Sequence, residues 1–419
     1  MCARESAKLA INGGTPVVTT PSVHSGKIGE KEKAAVVDLF DRLLKVGGFI
    51  TYNGPEEAAY CDEFAKWLGG GYADLVNSGT NAVFIAVKAL DLPPFSEVVV
   101  PPVSDPGGVM PVALNNLIPV PADAAPGSYN AGPDQIAERI TPRTSAILVA
   151  HIAGEPLDMA PVMKLAREKK LPVIEDCAQA HGAAYRGKLC GTFGAVSAFS
   201  TMFGKHHCTG GQGGVVFAKT KKLYTRVRQC ADRGKPSGAK APGNVVASLN
   251  MNMDELGACI GRVQFKRLPT IVRARRKVAE KIREGVAGLV AVSAPELPQR
   301  AEPSYWFLRL RLDASKLTVD KARFCEALNA EIKTGVNATY NAIPAEQPWF
   351  KERYVFGQPG MPWTSPDYKG DPGKEYPLPN ARKAVEDHFR ITIHEAMRIS
   401  DANKIVKALK KVEAAYLKE

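Results

Sequence analysis

This sequence predicts an α/β fold in two domains, and three observations carry that expectation. Short apolar runs such as those in 97–101 and 144–151 alternate with amphipathic stretches of helical period, which is the pattern of βαβ units. The chain has 419 residues, long for one domain and enough to bury a large core. Its composition, 45% apolar and 23% charged, is that of an ordinary globular protein, so disorder is not expected.

Charge and cysteine content narrow the function classes. The net charge of +12 raises nucleic acid as a partner. The lysines and arginines are scattered through amphipathic stretches such as 221–228 and 273–277, with no interleaved aromatics, so solvated helix faces account for them better. A basic surface also attracts an anionic small molecule. The eight cysteines show neither a CxxC pair nor metal-ligand spacing and read as small core residues, so no metal site is expected. The N-terminal residues MCARESAKLAINGG have no apolar h-region, and no run approaches the roughly 18–20 apolar residues of a membrane span. A cytoplasmic protein without a membrane partner is the simplest expectation.

Residues 1–30 read as an N-terminal arm with turn signals at Gly13, Gly14 and Pro16. From Glu30, the spacing of Val36, Val37, Phe40, Leu43 and Leu44 predicts a helix with those residues on one face. The chain turns at Asn53-Gly54-Pro55, and Pro55, Glu56 and Glu57 suit the first turn of a second helix. Leu75 and Val76 read as a short strand leading through Asn77-Ser78-Gly79-Thr80-Asn81 into the apolar helix AVFIAVKAL. Backbone N–H groups at that helix start, approachable because Gly79 has no side chain, make an anion site; an ordinary N-cap by Ser78 or Thr80 is the plainer alternative.

Glu97 to Pro101 reads as a buried strand ending at the loop PPVSDPGGVMPV. The stretch LIPVPADA, the helix GPDQIAERI, the strand TSAILVAHIAG and the helix APVMKLAREKK continue the alternation. His151, at a strand end, is more simply structural than catalytic. Farther on, VVFAK reads as a strand and KKLYTRVRQCADRG as a helix ending at Gly234. A long helix from about Asp254 through Arg283 bridges to a smaller C-terminal domain containing the half-buried strand SYWFLRLRLD and the helix DKARFCEALNA. Residues 357–380 are rich in Gly and Pro and predict an irregular loop, in which Trp363 and Tyr368 are candidate substrate contacts. Ile405, Leu409, Val412 and Tyr416 make a core stripe on the last helix. The expected division is an arm at 1–30, a large domain at 31–265 and a small domain at 266–419.

The stretch from Ile174 to Gly214 carries the chemistry. An apolar strand ends in two carboxylates, Glu175 and Asp176, where open α/β sheets place their ligands. Some thirty residues later Lys205 precedes a glycine run. A buried carboxylate and a lysine amine are both required by pyridoxal 5'-phosphate (PLP): the carboxylate keeps the ring nitrogen protonated, and the amine forms the Schiff base. The spacing alone equally allows Asp176 to be a strand end and Lys205 a surface lysine.

The string EDCAQAHGA, followed by G-x-x-G, Ser200, Lys205 and a G-x-GG ending, resembles the DegT/DnrJ/EryC1/StrS aminotransferases, the sugar aminotransferase family. That resemblance implies a fold-type I, aspartate aminotransferase-like PLP enzyme, with a mostly parallel seven-stranded sheet and a smaller C-terminal α/β domain. It implies that Lys205 holds PLP, that Asp176 partners its ring nitrogen, and that Gly79, Thr80 and Ser200 bind its phosphate. Gln179 becomes a cofactor-binding residue, with His181 supporting Asp176 or simply packing there. The stretch LNMNMDELGACIG resembles the family helix whose first Asn reaches the phosphate of a neighbouring subunit, which points to Asn250 and a homodimer. Arms such as 1–30 commonly pack on a neighbour in this family. The implied reaction is transfer of an amino group from glutamate or glutamine to a keto-sugar, often nucleotide-linked, or a cyclitol.

Besides an aromatic missing from the turn AHIAGEPLDM, the sequence departs from the family at three places. Ser104 and Asp105 stand where a Thr and an aromatic that stacks on the cofactor are usual, Asn252 stands in place of Arg, and one extra residue separates Ser200 from the final glycines. Counted from Ser200, Lys205 is the Schiff-base position; counted back from Gly213-Gly214, His206 is. A His-His pair like His206-His207 resembles the family's sugar 3-dehydratases. Only a primary amine holds PLP covalently and then moves the proton, so Lys205 is the favoured catalyst. The alternatives are a dehydratase using His206 and a non-catalytic PLP-binding regulatory protein.

Overall fold

The computed structural model describes residues 8–20, 28–238, 240–333, 335–340 and 342–419. Its centre is a seven-stranded sheet of β1 (Tyr72–Val76), β2 (Glu97–Val100), β3 (Ile118–Pro121), β4 (Thr144–Ala150), β5 (Val173–Asp176), β6 (Val196–Ser200) and β7 (Gly214–Ala218), in the order β1-β7-β6-β5-β4-β2-β3. The pairs β3/β2, β2/β4, β4/β5 and β5/β6 are parallel, and β7 alone runs against its neighbours β6 and β1. The mostly parallel sheet expected from the alternation is therefore present. Burial on both faces explains why strands such as β2 and β4 are continuous apolar runs rather than alternating ones.

The connections fix where a ligand can sit. Helix α1 (Glu30–Val46) and α2 (Pro55–Trp67) precede the sheet, and α3 (Gly79–Lys88) leaves β1 at once. Ser78 caps α3, its Oγ accepting from Asn81 N at 3.1 Å. Ser200, the last residue of β6, ends beside the start of α3, and Asp176 ends β5 next door. The carboxyl ends of the parallel strands and one helix N-terminus thus open on a single crevice.

The 31-residue helix α4 (Glu255–Gly285) joins two cores. Ala258, Phe265, Leu268 and Val272 pack with Tyr60 and Phe64 of α2, whereas Val278, Ala279 and Ile282 belong to a second core. That core lies on a smaller antiparallel sheet of β8 (Val292–Ser293), β9 (Phe307–Leu312), β10 (Val336–Asn337) and β11 (His388–Thr392), with Ile405, Leu409 and Val412 of the last helix buried against it. Seven described cysteines are free and six of them buried; Cys2 lies outside the described residues. No described helix is long and apolar enough to cross a membrane.

The structure adds detail to two expected elements and corrects a third. Helix α1 buries Glu32 and Leu39, while Val37, Phe40 and Leu44 face outward. The buried Glu32 carboxylate accepts from Gln264 and Arg267 of α4, and this polar clamp turns the apolar stripe away from the chain's own core. Residues 8–20 of the arm pack on this chain itself: Leu9 joins the second core, and the N–H groups of Ala10 and Val17 donate to the buried Glu331 carboxylate at 2.8 and 3.0 Å. Residues 357–378 are irregular, but Trp363 and Tyr368 are core rather than substrate contacts: both pack with Phe350 and Val120, and Tyr368 donates to Glu97 at 3.0 Å.

Candidate active site

A cavity of ≈240 Å³ opens at the ends of β4, β5 and β6. Of the residues singled out from the sequence, Gly79, Thr80, Asp176, Gln179, Ser200 and Lys205 all line it. Asn250 does not: it is exposed, its backbone bridging to Asp232 and its Oδ1 accepting from Asn252 N at 3.4 Å.

Asp176 projects from the end of β5 and is 7% exposed. Its Oδ1 accepts from Ala178 N at 2.9 Å. Burial raises its pKa above the ordinary carboxylate value, while the Ala178 N–H and the Lys205 charge pull it back. Glu175, on the opposite face of the strand, is fully used by the protein: its oxygens accept from Gly191, Phe193 and Gly194 N–H and face His151 Nε2 at 3.2 Å. Leu157 N donates to His151 Nδ1, which places the ring proton on Nε2 toward Glu175. His151, Glu175 and Cys177 come within 4.8 Å of one another. With those lone pairs already occupied, the group braces the end of β5 rather than offering a metal a set of ligands.

Lys205 sits on the turn after β6, its N–H donating to Met202 O at 2.9 Å. Its Nζ lies 3.9 Å from the centre of the Trp306 ring, and the Trp306 indole N–H donates to Gly204 O at 2.9 Å. Burial lowers the Lys205 pKa to about 8, against the opposing pull of Asp176 and Asp105. A minority of this amine, roughly 10–20%, is therefore neutral near physiological pH, far more than for an ordinary lysine.

The two candidate registers are separated by direction. His206 does not line the cavity; its Nε2 meets Ser304 O at 3.1 Å and its ring stacks on His181 at 5.7 Å. His207 is buried behind it, with Nδ1 3.1 Å from His181 Nδ1 and Nε2 2.6 Å from the Tyr60 hydroxyl. His181 thus contacts both His206 and His207.

The far end of the cavity is shaped for an anion. Gly79 is the first residue of α3, and a Cβ built on it would stand 2.5 Å from Ser200 Cβ. Only glycine lets the helix start approach β6 this closely, which brings the Ser200 and Thr80 hydroxyls and the helix N–H groups to one end. Gln179 closes a side: its Oε1 accepts from Ala153 N and its Nε2 donates to the Tyr340 hydroxyl, each at 2.8 Å.

Where the family aromatic is missing, Asp105 lines the cavity edge and its Oδ1 accepts from Gly107 N at 3.0 Å. Gly107 packs against Thr80 and Gly108 against Ser104 and Asp176. Asn252, in place of Arg, has both amide atoms buried with no hydrogen-bond partner among the described residues. Sequence reasoning missed Trp306, because within SYWFLRLRLD it reads simply as an aromatic on a strand, and Tyr340, which belongs to no recognisable motif.

One cavity therefore offers an amine of lowered pKa, a buried carboxylate and a hydroxyl-lined helix N-terminus. These donors fit PLP, which carries an aldehyde, a basic ring nitrogen and a phosphate. The carboxylate and anion cradle are preformed.

The chain matches the DegT/DnrJ/EryC1/StrS aminotransferase family over residues 28–410. It is 29% identical over 348 residues to a dTDP-4-dehydro-2,6-dideoxy-D-glucose 3-dehydratase of Saccharopolyspora spinosa, covering 74% of this chain and 75% of the relative. It is 27% identical over 429 residues to an L-glutamine:2-deoxy-scyllo-inosose aminotransferase of Micromonospora echinospora, covering 97% and 98%. Among solved structures, an aminotransferase from Psychrobacter cryohalolentis superposes with a TM-score of 0.82 at 26% identity, over 94% of this chain and 99% of that one.

Proposed function

This chain belongs to the DegT/DnrJ/EryC1/StrS aminotransferase family and is a PLP-dependent enzyme of fold type I; from that premise we propose that it moves an amino group from glutamate or glutamine to a keto group on a sugar, often nucleotide-linked, or on a cyclitol. The observation that carries this reading is the direction of Lys205: it enters the cavity with Asp176, whereas His206 turns to Ser304.

When bound, PLP supplies an electron sink for the charge that develops beside the substrate nitrogen. Asp176 holds the positive charge of the ring nitrogen, favoured by the low dielectric around it. Gly79, Thr80 and Ser200 hold the phosphate through backbone N–H and hydroxyl donors. Gln179 keeps the Ala153 backbone and Tyr340 in place around the ring. Lys205 Nζ takes the proton from the donor's α-carbon and, in the second half of the cycle, returns one to the acceptor carbon. A pKa near 8 suits an amine that must work in both directions.

The reading extends to the assembly. Val37, Phe40, Leu44, Val46 and Phe49 are exposed, and a homodimer would cover an apolar surface of this kind. Asn250, exposed and outside its own cavity, is available to reach the phosphate of the neighbouring copy. The arm at 1–30, large domain at 31–265 and small domain at 266–419 serve as its working division, and the cytoplasm suits a biosynthetic transaminase.

The test is a single-turnover experiment. Glutamate or glutamine added to the PLP-loaded protein should discharge the visible cofactor band and release one equivalent of keto acid. A dehydratase predicts no discharge by any amino acid unless the amine is supplied ready-made on the cofactor, and that result would sink the transaminase reading.

A further inference from the structure

A hollow of ≈580 Å³ lies at the opposite edge of the central sheet from the Lys205 cavity. Phe193, which leads into β6, and Lys219, which follows β7, both line it, whereas the reacting cavity opens where β6 ends. Its other walls are the helix Met159–Glu168 and the hairpin of Ala184–Tyr185 and Lys188–Leu189. Cations that the sequence scatters converge here: Arg167 from the helix, Arg186 and Lys188 from the hairpin, and Lys219. Among the described residues no carboxylate lines the hollow, and none of the four cations joins an ion pair. Lys164, on the same helix, by contrast reaches Glu168 at 3.9 Å.

These charges are held in place. The Arg186 guanidinium carbon lies 5.1 Å from the centre of the Tyr185 ring, Lys188 Nζ lies 5.0 Å from that of Phe193, and Lys219 Nζ donates to Phe193 O at 2.7 Å. Burial lowers the Lys219 pKa and the neighbouring Lys188 lowers it further, so like charges are crowded without an anion between them. Arg186 also occupies an unfavourable backbone. With Gly187 it makes the two-residue turn of the hairpin, at φ 52° and 76°, a conformation suited to Asn or Gly and costly for a long side chain. Turn stability alone does not select arginine there. Beside the cations, Met163 and Phe193 form a half-buried apolar floor.

An occupant matched to this surface brings several negative charges and a flat, weakly polar body. We propose that the hollow binds a nucleoside polyphosphate, with the phosphates among Arg167, Arg186, Lys188 and Lys219 and the base over Met163 and Phe193. Arginine forks and lysine ammonium groups are good phosphate partners, and a base stacks on an aromatic ring whatever its identity. The volume is that of a small-molecule site.

Calorimetric titration of the PLP-loaded protein with ATP, and separately with dTDP, at about 150 mM salt tests it. At least one nucleotide should bind, and inorganic triphosphate and adenosine should each bind about 10-fold more weakly than it does. The double variant Arg186→Asn, Lys188→Ser should lose about 10- to 100-fold in nucleotide affinity with the cofactor band unchanged. Arg186→Asn supplies the residue the turn prefers, so its urea midpoint should not fall and weaker binding cannot be laid to unfolding. Binding of neither nucleotide, triphosphate binding as tight as ATP, or full affinity in the double variant overturns the proposal. Should the double variant fail to fold, photolabelling of the wild type with 8-azido-ATP decides: label on the peptides holding Met163 or Phe193 supports the site, and label confined to the Lys205 peptide, or none, overturns it.

Discussion

Gly79→Ala puts a methyl group where the start of α3 touches the end of β6. The new Cβ would stand 2.5 Å from Ser200 Cβ, 2.8 Å from its Oγ and 3.1 Å from its Cα. The last is backbone and the first is fixed to it, so no side-chain rotation relieves the contact and the two elements must part by roughly 1 Å to reach ordinary van der Waals distance. Overpacking of this kind costs about 1–3 kcal/mol. Alanine's better helix propensity returns at most about 1 kcal/mol, and less at a first helical residue. A net loss of about 1–2 kcal/mol follows, read as a lower midpoint in urea denaturation. The cofactor should suffer more, because the same shift moves the helix N–H groups away from the hydroxyls of the anion cradle. Losing one charge-assisted bond of about 1.5–3 kcal/mol lowers PLP affinity about 10- to 100-fold in an absorbance titration. Ser200 supplies the control. Adding Ser200→Gly removes the Cβ that collides, whereas Ser200→Ala keeps it, so only the glycine should show favourable coupling to Gly79→Ala. Wild-type stability and PLP affinity in Gly79→Ala, or equal rescue by both Ser200 changes, would refute the reasoning.

The remaining predictions concern charge and the histidine pair. PLP capture by the apoprotein should speed up with pH around a midpoint near about 8, the value to which burial holds Lys205, and Asp105→Asn should move that midpoint down by removing a carboxylate that favours the ammonium; a midpoint above 10 would contradict this. Between about 8 and the ordinary lysine value of 10.5 the unfolded chain holds the extra proton, so this group's contribution to apoprotein stability rises with pH across that window. Arg309→Met should cost about 3–5 kcal/mol in a urea titration, since Arg309 and Glu155 are 1% and 3% exposed and the carboxylate would be left buried without its cation. His206→Asn should keep transamination within about ten-fold, whereas Lys205→Ala should lose about 10²–10⁴-fold; the reverse order would favour the dehydratase.

The parallel sheet was legible because doubly buried strands leave continuous apolar runs, as in β2 and β4. Helix α1 and its apolar stripe were legible, but the direction the stripe faces was not. Periodicity locates an apolar stripe but not the surface that covers it, and the Glu32 clamp to Gln264 and Arg267 turned this stripe outward. Trp363 and Tyr368 were misread because a Gly/Pro-rich stretch signals irregular backbone and is silent on burial. The cofactor cavity was mostly legible, since its carboxylate, amine and helix start lie in short local motifs. The choice between Lys205 and His206 was not, because one extra residue shifts the register and only the turn's three-dimensional path decides which side chain faces Asp176. Trp306 lay hidden for the same reason: it meets Lys205 from far away in sequence.

The central claim is that Lys205 is the residue that holds and serves the cofactor. Borohydride reduction of the PLP-loaded protein, followed by proteolysis and mass mapping, tests it most directly. Phosphopyridoxyl label on Lys205, with none in Lys205→Ala, is the expected result. PLP that binds but leaves no label, and departs on dialysis, would contradict the account and return the central role to His206.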